Sequence, residues 1–141
     1  MQRLHNKVAV ITGGTGGIGL ASAKLFAAEG AQVVLVDVDQ AALDRAVADI
    51  GAERAMGVAA DVTDPAQVEA YVQATIARHG GLDVFFNNAG IEGAVAPITD
   101  YPVEMFDQLM AVNVRGVFLA SDESGYITGN SYPIDGGMAP A

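Results

Sequence analysis

The 141-residue chain contains no cysteine, which excludes disulfides, thiolate metal sites and cysteine nucleophiles. Basic residues are scarce: 7 Lys and Arg stand against 17 Asp and Glu, for a formal net charge of −10. A field of that sign repels a phosphate backbone, so nucleic acid is not an expected partner. No apolar run reaches the roughly 20 residues of a membrane span. Met1–Lys7 lacks the basic start and apolar stretch of a secretion signal. No membrane partner is expected, and the default compartment is cytoplasmic. The only lysines are Lys7 and Lys24. The histidines, His5 and His79, are too isolated for a triad or a metal site, and no metal is expected. His79 is placed to end a helix favourably against its dipole.

Hydrophobic residues make up 51% of the chain and glycines number 17, a mixture suited to helices lying closely on a buried parallel sheet. Lys7–Thr12 reads as a buried β-branched strand stopped by glycines. An Ala-rich helix follows over Leu20–Glu29, with Gly30 as its left-handed stop. Gln32–Asp37 is a second strand, and the next helix is capped by Asp39, carries Leu43, Ala46, Val47 and Ile50, and ends at Gly51. Arg54–Ala60 is a third strand, and Asp64-Pro65 opens a helix with apolar Val68, Val72 and Ile76. Leu82–Phe86 is a fourth strand, and Pro102 to about Leu119 is helical, with Phe106, Leu109, Met110, Asn113 and Val117 on one inward stripe. Ser131–Asp135 could form a last short strand. This alternation predicts an α/β fold, a Rossmann-type three-layer αβα arrangement on a parallel sheet with right-handed crossovers. No linker or repeat interrupts it, so residues 1–141 read as a single domain.

Thr12-Gly13-Gly14-Thr15-Gly16-Gly17-Ile18-Gly19 lies between the first strand and the first helix. Glycines there permit a tight turn and close backbone approach to a pyrophosphate, and the helix N-terminus offers N–H groups to the anion. Asp37 ends the second strand about 20 residues past the loop, where a carboxylate can accept from ribose hydroxyls. A carboxylate would repel the extra phosphate of NADP, and neighbouring Val38 and Asp39 offer no base to offset it. NAD is therefore the expected cofactor, preferred over NADP.

These residues resemble the short-chain dehydrogenase/reductase family. The spacing Thr12-Gly13-x-x-x-Gly17-x-Gly19 is similar to that family's cofactor motif. Asp61-Val62 matches the pair that meets the adenine ring, and Asn87-Asn88-Ala89-Gly90 the turn beside the cofactor. Asn113 in Val112-Asn113-Val114 matches the helix asparagine of the catalytic tetrad. The resemblance runs from Lys7 through Leu119 and resumes at Leu119–Gly129 and Ile134–Gly137. It implies cofactor contacts from Gly13, Thr15, Gly17, Ile18, Gly19, Asp37, Asp61, Val62, Asn88, Ala89 and Gly90. It also implies NAD(H) and a small-molecule secondary alcohol or ketone as partners, an NAD-dependent oxidoreductase activity, and a homo-oligomer.

Between the two matching stretches the family carries a catalytic Ser and a Tyr-x-x-x-Lys pair, which this chain lacks; the junction falls near residues 118–121. Tyr71, Tyr101, Tyr126 and Tyr132 all follow the last lysine, so no such pair can be written. A tyrosine without that help, near pKa 10, is a poor base at neutral pH. Asn113 is then the remnant of the tetrad, and the core-asparagine reading, satisfied by nearby backbone, describes it better. The expectation is a shortened oxidoreductase that is catalytically impaired or inactive; the alternative is a non-catalytic dinucleotide-binding or interaction module.

Overall fold

The computed structural model describes residues 2–124. The expected strand Ser131–Asp135, together with Tyr126 and Tyr132, lies outside the described residues. The elements are β1 (Val8–Thr12), α1 (Gly17–Ala28), β2 (Gln32–Asp37), α2 (Gln40–Ile50), β3 (Ala55–Ala59), α3 (Pro65–His79), β4 (Val84–Phe86), α4 (Val103–Met110) and α5 (Gly116–Ser124). A single 3₁₀ turn covers Ile98–Asp100, and a π-helical turn covers Ala111–Arg115.

The strands form one sheet in the order β3-β2-β1-β4, and every pairing is parallel. Val8 lies opposite Gln32 and Thr12 opposite Val36, while on its other side Ala9 faces Val84 and Ile11 faces Phe86. β1 is therefore central, and all five of its residues are buried. Its composition follows: a strand covered on both faces shows an unbroken apolar run rather than alternation. Successive side chains still point to opposite faces. Val10, Val34 and Val36 pack with Val68, Tyr71 and Val72 of α3, with Leu119 of α5 against them. Ile11 and Leu35 pack with Ala23 of α1 and with Leu43 and Ala46 of α2. The result is the three-layer αβα arrangement expected from the sequence.

Local signals place the helix starts. Asp39 accepts from Ala42 N at 3.0 Å and Asp64 from Ala66 N at 2.9 Å, with Pro65 in the first turn of α3. These caps fix where each chain segment leaves the sheet, worth about 1 kcal/mol apiece. In the order β3-β2-β1-β4 the direction in which successive strands are added reverses between β1 and β4, and the crevice at the carboxyl ends of strands at such a point is where α/β proteins bind ligands.

The helical stretch expected over Pro102 to about Leu119 is present from Val103 onward, with α4 passing at Met110 into the π turn and α5 continuing from Gly116. Gly116 lies so close to α3's entry loop that an added Cβ would stand 3.0 Å from Val62 Cγ2. The apolar positions do not share one buried stripe, for Phe106 is 53% and Met110 43% exposed. His79 ends α3 ahead of left-handed Gly80, but burial, and then neighbouring Arg78, push its pKa below the ordinary 6.5. The shift disfavours the charged form that would meet the helix dipole.

Candidate functional site

The crevice between β1 and β4 is built by one hydroxyl. Thr12, fully buried at the end of β1, accepts from Asn88 N and Ala89 N, both at 3.0 Å, and donates to Asn87 Oδ1 at 3.4 Å. A hydroxyl has one proton and two lone pairs, and all three are engaged. Asn88 returns the contact, its Nδ2 donating to Thr12 O at 3.0 Å and to Gly13 O at 3.2 Å. Asn87 Nδ2 donates to Val117 O at 3.1 Å and so ties the same turn to α5. The segment after β4 is thereby locked against the glycine loop. Thr12 and Asn87 open the two motifs read from the sequence but were not expected to contact the cofactor, and their role here is to hold the two motifs together.

The glycines act at different points of this lock. Gly13 takes φ +62°, and a Cβ there would stand 3.0 Å from Ala89 Cα. At Gly19 a Cβ would collide with the Gly13 carbonyl oxygen and lie 3.0 Å from Asn88 Nδ2. Gly17, by contrast, has nothing within 4 Å of an added Cβ. It opens α1, whose N-cap, Gly16, supplies no side-chain hydrogen bond. The first-turn N–H groups of a helix have no intrahelical acceptor, so α1 presents open donors and a positive dipole end to the crevice.

A cleft of about 730 Å³ lies above this loop, lined among others by Gly13, Thr15, Gly17, Ile18, Asp37, Asp61, Val62, Asn88, Ala89 and Gly90. Its volume is in the range of small-molecule and cofactor sites. Among the described residues, its charged lining is Asp37, Asp61 and Glu92, with no Lys, Arg or His. Asp37 Oδ2 accepts from Thr15 N at 3.2 Å and Thr15 Oγ1 at 2.5 Å, and Oδ1 accepts from Val38 N at 2.8 Å. Asp61 Oδ1 accepts from Thr63 N and Oγ1, both at 2.8 Å, forming the turn that leads into α3. Val62 is buried, 8% exposed. The donor set at the start of α1, the open space at Gly17 and the carboxylate at the end of β2 fit a dinucleotide with its pyrophosphate on the loop.

Of the residues expected to meet the cofactor, Gly19 does not line the cleft but packs against the Gly13 carbonyl and Asn88, while the others named above line it. Asn113 stands apart: its Oδ1 accepts from Ile91 N at 2.9 Å and its Nδ2 donates to Ile91 O at 3.0 Å. Both ends of the amide are spent on one backbone residue, at the centre of the π turn.

Among the described residues, no lysine and tyrosine are brought together in the cleft. Lys7 Nζ lies 2.8 Å from Asp83 Oδ1, and Lys24 Nζ 2.5 Å from Asp49 Oδ2; neither lysine lines the cleft. Tyr71 is fully buried in the α3 core against Phe85, its hydroxyl has no partner among the described residues, and burial pushes its pKa up. The described residues hold no group of three or more His, Asp or Glu able to bind a metal, and no described helix is long and apolar enough to cross a membrane.

Fold and crevice together define an α/β unit of the Rossmann type. The profile of the short chain dehydrogenase family matches residues 7–124, and the chain belongs to that family. It is 45% identical over 126 residues to a levodione reductase of Leifsonia aquatica, covering 86% of this chain and 47% of that protein. It is 44% identical over 115 residues to short-chain dehydrogenase reductase 5 of Arabidopsis thaliana, covering 82% of this chain and 44% of that one. The crystal structure of an NAD+-bound xylitol dehydrogenase superposes with a TM-score of 0.84 at 35% identity, over 86% of this chain and 48% of that chain. The chain thus spans about half the length of the relatives it matches.

Proposed function

We propose that this chain is a nicotinamide-dinucleotide-binding unit of short-chain dehydrogenase descent that takes NAD in preference to NADP. The parent chemistry is hydride transfer between a secondary alcohol and a ketone, and the 141 residues are impaired or inactive in it. The observation that carries the preference is the charge of the cleft: Asp37 at the end of β2, with no base along the lining. A 2′-phosphate would enter beside a carboxylate with nothing to neutralise it. The NAD+-bound relative with a TM-score of 0.84 supports the same choice.

Hydride transfer from an alcohol also requires a base for the hydroxyl proton. Both lysines are held in ion pairs away from the cleft, and the one tyrosine of α3 is buried with its proton tightly held. When bound, the nicotinamide would supply the hydride acceptor; this chain's residues would hold the adenine half and leave the proton without a recipient. Isothermal titration with NAD, NADP and ADP-ribose tests the reading alongside an alcohol-oxidation assay. Binding of NAD and ADP-ribose with weaker NADP and no turnover is expected; lysine-independent turnover, or tighter NADP, contradicts it.

A homo-oligomer belongs to the same reading. Val103, Phe106, Met110, Val114 and Phe118, spaced three or four residues apart, are 43–67% exposed. An apolar surface of this kind is normally covered by a partner. Light scattering across a concentration series distinguishes monomer from oligomer. The unit is placed in the cytoplasm by the same reading; fractionation of cells expressing the tagged chain checks it.

A further inference from the structure

β4 stands at the edge of the sheet with one side in use. Asp83 N donates to Val8 O at 2.9 Å, and Val84, Phe85 and Phe86 lie opposite Ala9, Val10 and Ile11 of β1. Along a strand the backbone groups turn alternately to one neighbour and the other. Asp83 and Phe85 therefore serve β1, while Val84 and Phe86 present their N–H and C=O groups outward. Among the described residues nothing pairs with that side, for β4 ends the order β3-β2-β1-β4. Its three residues are only partly buried, whereas the five of β1 are buried. An open edge of this kind is a template for another strand. The helices show from which direction one can come. α3 carries the chain from β3 to β4 and packs on the sheet face of Val10 and Phe85, and Leu119 of α5 packs on the same face. A strand that follows α5 and lies beyond β4 repeats the lateral step of α3 with its helix on the same side, which keeps the crossover right-handed.

We propose that the outer edge of β4 is the docking surface for this chain's own segment Ser131–Asp135, which adds to it as a parallel strand. Residues 125–130 link that segment to α5; six residues reach about 20 Å when extended, more than the roughly 10 Å between packed layers. The segment fits the edge in one phase. Proline has no N–H to give a ladder, so Pro133 turns its backbone away from β4. Tyr132 and Ile134 then face the edge, and their N–H and C=O groups meet those of Val84 and Phe86. The same phase sorts the side chains, because residues level with each other in parallel strands point to the same face. Tyr132 and Ile134 fall on the face of Phe85, beneath α5, and Ser131, Pro133 and Asp135 on the other. The hydrogen-bond requirement and the burial requirement select one and the same phase. The docking closes an edge that would otherwise recruit other chains, and Pro133 leaves the new edge without an N–H that a further strand would need. It holds whatever the cleft binds.

Amide hydrogen exchange of the full chain, followed residue by residue by NMR, tests this. The Val84 and Phe86 N–H groups should exchange as slowly as that of Phe85 to within about tenfold, the equivalent of one hydrogen bond. Nuclear Overhauser contacts should run from their protons to residues 132–134. Ile134→Pro removes an N–H that meets β4 and should speed exchange at Val84 and Phe86 by about tenfold or more, while Phe85 stays protected through β1. Asp135→Pro removes an N–H that points away and should leave all three amides unchanged. Should Ile134→Pro fail to fold, the Overhauser contacts of the native chain decide alone: their presence supports the docking and their absence overturns it. Fast exchange at Val84 and Phe86 in the native chain overturns it as well. So does protection that survives Ile134→Pro, or protection lost on dilution, which assigns the edge to a second copy. Equal sensitivity to the two proline variants also overturns it, since a strand of defined phase must tell them apart.

Discussion

Asn88 and Thr12, 76 positions apart, hydrogen-bond in both directions: the Asn88 backbone N–H donates to Thr12 Oγ1, and Asn88 Nδ2 donates to Thr12 O, each at 3.0 Å. The pair joins the carboxyl ends of β1 and β4, the parallel neighbours between which the order of strand addition reverses. The crevice exists because these two strand ends are held in register, and the stability of the site should follow this contact.

Thr12→Val should therefore destabilise the fold. Valine fills the same space but leaves the N–H groups of Asn88 and Ala89 without their acceptor. A buried donor left unpaired costs about 1–3 kcal/mol. Urea unfolding measures the loss, and an unchanged midpoint would show that the turn finds another acceptor.

Gly17 and Gly19 should respond to alanine in different ways. At Gly17 the added Cβ meets nothing within 4 Å, and alanine in a helix is favoured over glycine by roughly 1 kcal/mol. Gly17→Ala should thus raise stability slightly while weakening dinucleotide binding, because the methyl group fills the space a pyrophosphate needs. Gly19→Ala drives a methyl into the Gly13 carbonyl and should lower both. Thermal melts and NAD titrations of the two variants separate these effects; parallel behaviour would contradict the assignment of the open space to the ligand.

Tyr71→Phe should be neutral or stabilising. The hydroxyl is buried with no partner among the described residues, and burying a polar group without a hydrogen bond is unfavourable. The ring keeps its packing, 6.3 Å from Phe85 between centroids. A loss of more than about 1 kcal/mol, the net value of a hydrogen bond, would reveal an acceptor outside the described residues.

Stability should fall on the acid side in two stages. Lys7 Nζ, and then the Val8 N–H, hold the Asp83 carboxyl below its ordinary 3.8. A lowered folded-state carboxyl contributes stability above the unfolded value, and that contribution disappears as pH falls through the lower folded value. The His79 imidazole is also lowered, from 6.5, so the unfolded chain takes up its proton first and stability begins to drop below about that pH. His79→Gln should flatten the first stage and Asp83→Asn the second, in denaturation midpoints followed from pH 7 to pH 3. Retention of both stages in the double variant would assign them to other groups.

Much of the fold is legible along the chain because it depends on neighbours in sequence. The continuous apolar run of β1 predicts a strand covered on both faces, and Asp39 and Asp64-Pro65 mark helix starts that the structure reproduces. The strand ends are trimmed, Val84–Phe86 against Leu82–Phe86, since pairing with β1 rather than local preference sets their length. The glycine loop and Asp37 are likewise readable, their spacing being that of one βαβ unit. Asn113 shows where legibility stops: its helical phase aims it inward, and only the π turn and the Ile91 backbone reveal what its amide does.

By itself, the order of residues determined the alternation of strands and helices, the glycine loop at the head of α1, the acid at the end of β2 and the lack of a Tyr-x-x-x-Lys pair. All of these are local patterns or matters of composition. Tertiary structure alone decided that Thr12 clasps the Asn87–Ala89 turn, that Thr15 shares the Asp37 carboxylate, that the described residues of the cleft lining include acids and no base, and that burial lowers the His79 pKa. Each of those depends on groups brought together from distant segments, where hydrogen-bond valence and exclusion of water, rather than sequence spacing, set the outcome.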